Sequence, residues 1–451
     1  MDEKLTTMKS NDDSLRKAFL PAQLALKYHP FYRGKIEIVP KCPIRSFDDF
    51  AIWYTPGVAE ACESIKNKPE AVYENTNKWN TIAIVSDGTR VLGLGDIGPE
   101  AGLPVMEGKA LLYKYLGGID AFPICLGTKE ADEIISAVKW IQPSFGGINL
   151  EDIAQPKCFE ILDALQNQLD IPVWHDDQQG TATVVLAGFI NAVKFVGKKI
   201  DKVKISMIGA GAANVALARL LISEGAKPGN IILVDSKGTL HKNRRDLEHT
   251  SPKKWALCQI TNADGIEGGI NASLDAADAC VALSQPGPGV LKKEDVARMN
   301  NQAIVFACAN PIPEIWPWEA AEAGAAVIAT GRSDFPNQLN NSLGFPGIFR
   351  GTIDVRAKTI TDEMCLAAAH ELAKLAEERG LSAKNIIPTM DDWEVFPREA
   401  TAVAEKAIEQ GVARIKRTRE EIYSSARAII KRAREESKYL MRGGFIQDFP
   451  T

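Results

Sequence analysis

The chain has 451 residues and a formal charge of −5, with 45% hydrophobic and 25% charged residues. That balance excludes wholesale disorder, and a core this large needs no disulfides. A nucleic-acid-binding protein would more often be basic, so that class is disfavoured, and the length predicts two to three domains at roughly 150 residues each.

At the start, Met1–Arg16 is polar and charged and lacks the apolar run of a signal peptide. No stretch approaches the uninterrupted apolar length of a membrane span. The 8 cysteines are spread singly, with no CxxC pair and no zinc-finger spacing. These features predict buried thiols in a reducing, cytoplasmic setting.

Further along, apolar runs alternate with helical stretches. Strands are expected at Thr81–Val85, Ala121–Leu126, Pro172–Trp174, Lys204–Ile208, Ile231–Val234, Ala279–Leu283, Ala303–Cys308 and Ala326–Ala329. Strand–helix alternation of this kind builds parallel α/β layers, with ligands beyond the carboxyl ends of the strands. Thr181–Val196 reads as a helix and Gly197–Lys202 as a polar break. A second break is expected near Asn340–Gly347, and the pattern is helical from Thr361, punctuated at Gly380 and Pro388. Ala404, Ile408, Val412, Ile415, Ile422, Ala426 and Ile429 recur at helical spacing and predict a long final helix. Arg414–Arg442 holds ten Lys and Arg against four Glu. That excess suits a solvated helix face, or a surface that touches an acidic partner.

One segment carries a nucleotide signature. Lys204–Ile208 runs into Gly209, Ala210, Gly211, Ala212, Ala213 and Asn214, followed by a helical stretch and the strand ending at Asp235. This is the strand, glycine turn, helix, strand and acid order of a dinucleotide-binding unit. Gly209 permits the turn, Gly211 lets the backbone approach a pyrophosphate, and the helix N-terminus favours its charge. Asp235, with Ser236 and Lys237 beside it, is placed for an adenosine ribose. Asn214 stands where a third glycine is usual, which predicts a looser helix–strand fit. Asp235 would repel a 2′-phosphate and favour NAD. Lys237, Lys242, Arg244 and Arg245 would neutralise one and favour NADP, or form an ordinary solvated loop.

Two acidic pairs, Glu151-Asp152 and Asp176-Asp177, also stand out. Adjacent carboxylates repel unless a cation offsets them, and an all-oxygen set suits Mg²⁺ or Mn²⁺. Lys109 follows the glycine-rich Gly93–Gly98 and opens an apolar helical run; such a lysine can serve as a base or simply snorkel. Tyr54, in the turn Trp53–Gly57, is a proton donor or a packing residue.

Together these segments resemble the malic enzymes, in their short microbial form. The resemblance rests on Tyr54-Thr-Pro-Gly-Val-Ala-Glu, Ser86-Asp-Gly-Thr-Arg90 through Gly98, Glu107-Gly-Lys109, Glu151-Asp152, His175-Asp-Asp177-Gln-Gln-Gly-Thr-Ala, Gly209-Ala-Gly-Ala-Ala, Asn310-Pro and Asn340-Asn341 through Gly347. They occur in family order over residues 25–400 or so. Ser284-Gln-Pro-Gly-Pro-Gly289 departs from the family pattern. The chain is expected to lack the phosphotransacetylase-like domain of longer bacterial relatives.

The resemblance implies oxidative decarboxylation of L-malate to pyruvate and CO₂, with NAD or NADP and Mg²⁺ or Mn²⁺. It implies Lys109 as general base beside Asp176, and Tyr54 as general acid. Glu151, Asp152 and Asp177 become metal ligands; Arg90, Asn310 and Asn341 become carboxylate holders, with Asn310 also touching the coenzyme. An N-terminal α/β substrate domain (residues 1–176) would precede a doubly wound Rossmann-type NAD(P) domain (177–341). A mostly helical segment (342–451) would then pack back on the substrate domain. A homodimer or higher homo-oligomer is implied, with no nucleic acid or membrane partner. The alternatives are a malolactic-type enzyme releasing lactate, another Rossmann dehydrogenase lacking a metal site, and a non-catalytic dinucleotide sensor.

Overall fold

The computed structural model of the chain describes residues 20–450. The Met1–Arg16 segment, expected to carry no targeting signal, lies outside the described residues. The described chain begins with helix α1 (residues 20–32), and α2 (Val58–Asn67) follows.

The first sheet holds β1 (Thr81–Ser86), β2 (Asp120–Cys125), β3 (Gly147–Leu150) and β4 (Val173–His175). Its order is β2-β1-β3-β4, and every pairing is parallel. All of β1 is buried, as befits a central parallel strand covered on both faces. The crossovers are α3 (Pro99–Gly117), α4 (Ala131–Ile141) and α5 (Lys157–Gln168). Pro99 supplies the preset φ at the start of α3, and Gly118, at φ +65, supplies the left-handed stop.

A wide π-type turn, Asp176–Gly180, joins this sheet to α6 (Thr181–Phe195). The second sheet then holds β5 (Ile205–Ile208), β6 (Ile231–Asp235), β7 (Gly238–Thr239), β8 (Ala279–Ala282), β9 (Ala303–Ala307) and β10 (Ala325–Thr330). Its order is β10-β9-β8-β5-β6-β7, parallel except for the β6–β7 hairpin. Apart from that hairpin, this is the doubly wound order, with the reversal between β5 and β8. Helix α7 (Ala212–Ser223) follows β5.

The chain closes with α8 (Phe345–Asp354), α9 (Asp362–Glu378), α10 (Val395–Glu409) and α11 (Arg419–Arg442). Helices α8 and α11 pack on α3, returning the C-terminus to the first sheet. One apolar core runs from Ile82 through α6 to Ile430; a smaller one, around Val234, Cys280 and Val305, covers the other face of the second sheet. Among the described residues no helix is long and apolar enough to cross a membrane.

Two expectations need correcting. The long final helix is two helices, because Gly411, at φ +71, opens a loop between α10 and α11. The apolar spacing continued across that break because both helices face the same core. Strands β3 and β7 escaped the sequence reading. Gly147-Ile-Asn-Leu150 carries a mid-strand asparagine that interrupts its apolar run, and β7 is only 2 residues long.

Candidate active site

The strand order explains how the acids meet. β3 lies between β1 and β4, so Glu151-Asp152 leave the sheet beside Asp176-Asp177. Asp152 takes a left-handed φ of +53, unusual for a side chain other than glycine. Its carbonyl accepts the Arg90 backbone N–H at 2.9 Å, and its own N–H donates to Asp177 Oδ2 at 2.9 Å. The wide turn after β4 aims both aspartates back at β3. Gly180 is required there, since a Cβ would overlap the Asp176 carboxylate.

Lys109 enters from the inner face of α3 and is 7% exposed. Its Nζ donates to Asp176 Oδ2 and pairs with Glu151 Oε2 at 2.7 Å. The Phe345 ring lies 4.4 Å from the ammonium. Burial alone would lower the lysine, but Asp176, Glu151 and Asp177 outweigh it and hold the proton on. Asp176 is fully buried and also accepts from Asn341 Nδ2 and, at 3.2 Å, from Trp174 Nε1.

Glu151, Asp152 and Asp177 offer carboxylate oxygens within 4.8 Å of one another. Burial, then the Asp177 charge, pushes the Asp152 carboxyl up to about 8. Burial likewise raises Glu151, with Asp177 and Asp176 adding to it against the pull of Lys109. Asp152 Oδ2 is buried without a hydrogen-bond partner. Three crowded carboxylates and an orphaned oxygen fit a hard divalent cation.

The other expected residues divide. Asn341 is brought in, with its amide on Asp176. Arg90 is exposed at the rim, anchored by its backbone. Asn310 follows β9, and its carbonyl lies against Gly93. A Cβ on Gly93 would also meet Pro286, so the Gly93 loop closes on the unusual Ser284–Gly289 segment. Tyr54 is 72% exposed after the short helix Phe50–Trp53, and no hydrogen bond ties its hydroxyl to Lys109 or the carboxylates.

Sequence reasoning missed a supporting layer. Asn149 donates to Glu151 Oε2 at 2.9 Å and accepts from the Tyr113 hydroxyl at 2.7 Å. Tyr113 lies four residues after Lys109 on one face of α3, a spacing that could have revealed it. His175 is fully buried, with Nδ1 3.8 Å from Asp177 Oδ2; burial keeps its imidazole below the ordinary value. Glu314 is also buried. Its Oε1 accepts the Ser284 N–H at 2.8 Å and its Oε2 the Ala309 N–H at 3.0 Å. It therefore ties together the loops after β8 and β9. No local pattern points to it.

At the glycine turn, Gly209 adopts φ +93, and a Cβ there would strike the Leu283 carbonyl. Nothing lies within 4 Å of the Cβ position of Gly211, so its backbone faces open space at the start of α7. Ala212 and Ala213 form the first turn of α7. Asn214 does not loosen the fit: it is fully buried, and its amide donates to Ile208 O at 3.1 Å and Gly209 O at 2.7 Å. The cradle fits a pyrophosphate. Asp235, Ser236 and Lys237 line an adjoining cleft of about 590 Å³.

Known proteins resemble the chain over most of its length. The family described as "Malic enzyme, N-terminal domain" matches residues 33–166, and "Malic enzyme, NAD binding domain" matches residues 178–408. An NAD-dependent malic enzyme of Geobacillus stearothermophilus is 51% identical over 381 residues, covering 84% of this chain and 78% of that protein. A bifunctional malic/malolactic enzyme of Bacillus subtilis (strain 168) is 47% identical over 405 residues, covering 90% and 97%. The crystal structure of Entamoeba histolytica malic enzyme superposes with a TM-score of 0.95 at 48% identity, covering 98% of this chain and 92% of that one.

Proposed function

Because the chain belongs to the malic enzyme family, and so carries out the metal-assisted oxidative decarboxylation of malate to pyruvate with reduction of NAD(P), we propose how its own residues divide that work. The observation that carries the reading is Lys109, enclosed by Asp176 and Glu151 at the edge of a three-carboxylate cluster.

Lys109 removes the proton of the malate C2 hydroxyl as general base. The Gly209 turn would seat the coenzyme, which would supply the hydride acceptor. Glu151, Asp152 and Asp177 would hold Mg²⁺ or Mn²⁺, which would supply Lewis-acid polarisation of the C2 oxygen. Asp176 keeps Lys109 aimed at the substrate and is itself held by Trp174 and Asn341. Loss of CO₂ leaves an enolate whose C3 takes a proton from Tyr54. One proton removed at the C2 hydroxyl and one delivered at C3 balance. Arg90, Asn310 and Asn341 orient the two malate carboxylates. In the coenzyme site, Asp235 takes a ribose hydroxyl, with Ser236 and Lys237 beside it. Closure of the Gly93 loop on Pro286 excludes water from the cleft.

Residues 1–176, 177–341 and 342–451 are the corresponding substrate, coenzyme and returning helical units. A homo-oligomer is supported by Phe31, Ile38, Phe47, Ile52 and Trp53, exposed apolar side chains within one stretch. Cytoplasmic residence is supported by free cysteines, as in a reducing compartment.

The test follows reduced-nicotinamide absorbance with L-malate and Mn²⁺, using NAD and NADP separately, while pyruvate and lactate are assayed. Reduced coenzyme and pyruvate should appear in equal amounts and vanish with EDTA. A second reading, malolactic conversion, is favoured by the bifunctional Bacillus subtilis relative. Lactate without net reduced coenzyme would select it.

A further inference from the structure

The adenosine end of the coenzyme cleft holds a charge network that the reaction does not use. Asp235, at the end of β6, accepts Arg244 Nη1 on Oδ1 at 3.0 Å and Nη2 on Oδ2 at 2.8 Å. The same guanidinium gives Nε and Nη2 to Asp246 at 2.9 and 3.2 Å, and Nη1 to the Thr239 carbonyl at 3.3 Å. All three of its nitrogens are therefore engaged inside the protein. Lys237 adds its Nζ to Asp246 Oδ2 at 3.1 Å and its backbone N–H to Asp235 Oδ1 at 2.9 Å. Two carboxylates face these two cations, and Lys254 adds a third positive charge that acts on both carboxylates from outside the cleft lining.

Arg244 lines the cleft, and its side chain is 11% exposed. Asp246 stands outside the cleft lining, 37% exposed, and reaches it only through Arg244 and Lys237. The guanidinium is thus gripped from behind as well as from the front.

We propose that Asp246 sets the coenzyme preference: by holding Arg244 on Asp235 and drawing off Lys237, it makes the cleft accept a free ribose 2′-hydroxyl and reject a 2′-phosphate. NAD is then preferred over NADP. The inference rests on the reading of the Gly209–Asp235 unit as the coenzyme site. A carboxylate has about four acceptor positions. Asp235 has three of them filled, which leaves Oδ2 able to take a ribose hydroxyl. A 2′-phosphate brings a charge of about −1.5 to −2 and needs cationic donors. The cations that line the cleft beside Asp235 are Arg244 and Lys237, and Asp246 holds both; either must give up a carboxylate to meet a phosphate, which leaves Asp235 less compensated. Lys242 and Arg245 lie exposed on the same loop but do not line the cleft. Asp246 is a positioning residue here, acting through Arg244.

Calorimetric titration with ADP-ribose and with 2′-phospho-ADP-ribose tests this without turnover. The unmodified protein should bind ADP-ribose more tightly. Asp246→Asn should tighten 2′-phospho-ADP-ribose by about tenfold, the scale of one charge-assisted hydrogen bond, with much less change for ADP-ribose. The KM for NADP should fall in parallel. Asp246→Glu should keep the discrimination, and adding Arg244→Gln to Asp246→Asn should abolish the gain. Equal weakening of both probes in Asp246→Asn would mark a purely structural residue and overturn the proposal. So would a gain that survives loss of Arg244, or an unmodified protein that prefers the phosphorylated probe. If the unmodified protein binds neither probe, the coenzyme site itself is misassigned, and both readings fall together.

Discussion

Lys109 carries its proton because three carboxylates outweigh burial, yet the role proposed for it is to accept one. Glu151 and Asp177 belong both to the set holding that proton and to the metal cluster. A cation on them would therefore draw off the charge that keeps the lysine protonated. Lys109→Ala should lower turnover by roughly 10²–10⁴-fold, the usual worth of a general base. Affinity for ADP-ribose, measured by calorimetry, should stay put. Near-normal kcat would remove Lys109 from the role of base. Asp177→Asn should raise the Mn²⁺ dissociation constant by about tenfold or more, since a charged ligand is replaced by a neutral one. An unchanged constant in a metal titration would exclude Asp177 from the ligand set.

At the level of elements, helix α10 presses a carboxyl against the first turn of α8. Glu399 is fully buried, and neither of its oxygens has a hydrogen-bond partner. A Cβ on Gly347 would overlap that carboxyl, so α8 approaches α10 closely at this glycine. Burial, with Glu371 adding to it, pushes Glu399 well above the ordinary range. The folded protein therefore favours the protonated form. Its contribution is fully present below the unfolded value of about 4.3 and is lost as pH rises toward the folded value. Glu399→Gln should accordingly raise the denaturation midpoint at neutral pH and leave it little changed in acid. Equal midpoint shifts at both pH values would contradict this. Helix α11 begins with a reciprocal cap between Thr418 and Glu421. Thr418→Ala should cost about 1 kcal/mol in urea denaturation; no loss would show that docking on α10 and α3, without the cap, sets the start of α11.

For the molecule as a whole, the proposed metal site would couple metal binding to stability. The three candidate ligands follow the ends of β3 and β4, neighbouring strands joined through α5, and unfolding separates them. Mn²⁺ at one hundred times its dissociation constant should stabilise the folded protein by about 2.7 kcal/mol. Calorimetry should show a higher Tm with Mn²⁺, and Asp177→Asn should show a much smaller rise at the same concentration. Equal rises in both proteins would place the binding elsewhere. The exposed apolar stretch around Phe47 and Trp53 predicts a mass in light scattering above that of one chain. A monomer at micromolar concentration would refute this.

Much of this protein is written locally. The glycine turn, the acid at the end of β6 and the two acidic pairs are short covalent patterns, and β-branched runs mark most of the strands. Such features depend on neighbours within a few residues, so the sequence by itself determined the fold class and the chemistry to look for. It could not reveal β3, because an asparagine that serves Glu151 breaks the apolar run. It carried a helix across Gly411, because one core face continues through two helices. What only the tertiary structure decided is which groups share a proton or a charge. Lys109 meets Asp176, Asn341 meets Asp176, and Glu314 joins two strand ends, all through packing. Arg244 lies only nine residues from Asp235, yet its choice between a phosphate and two carboxylates depends on how the loop folds. Electrostatic interaction falls with distance and rises with burial, and both are fixed only when the elements are packed.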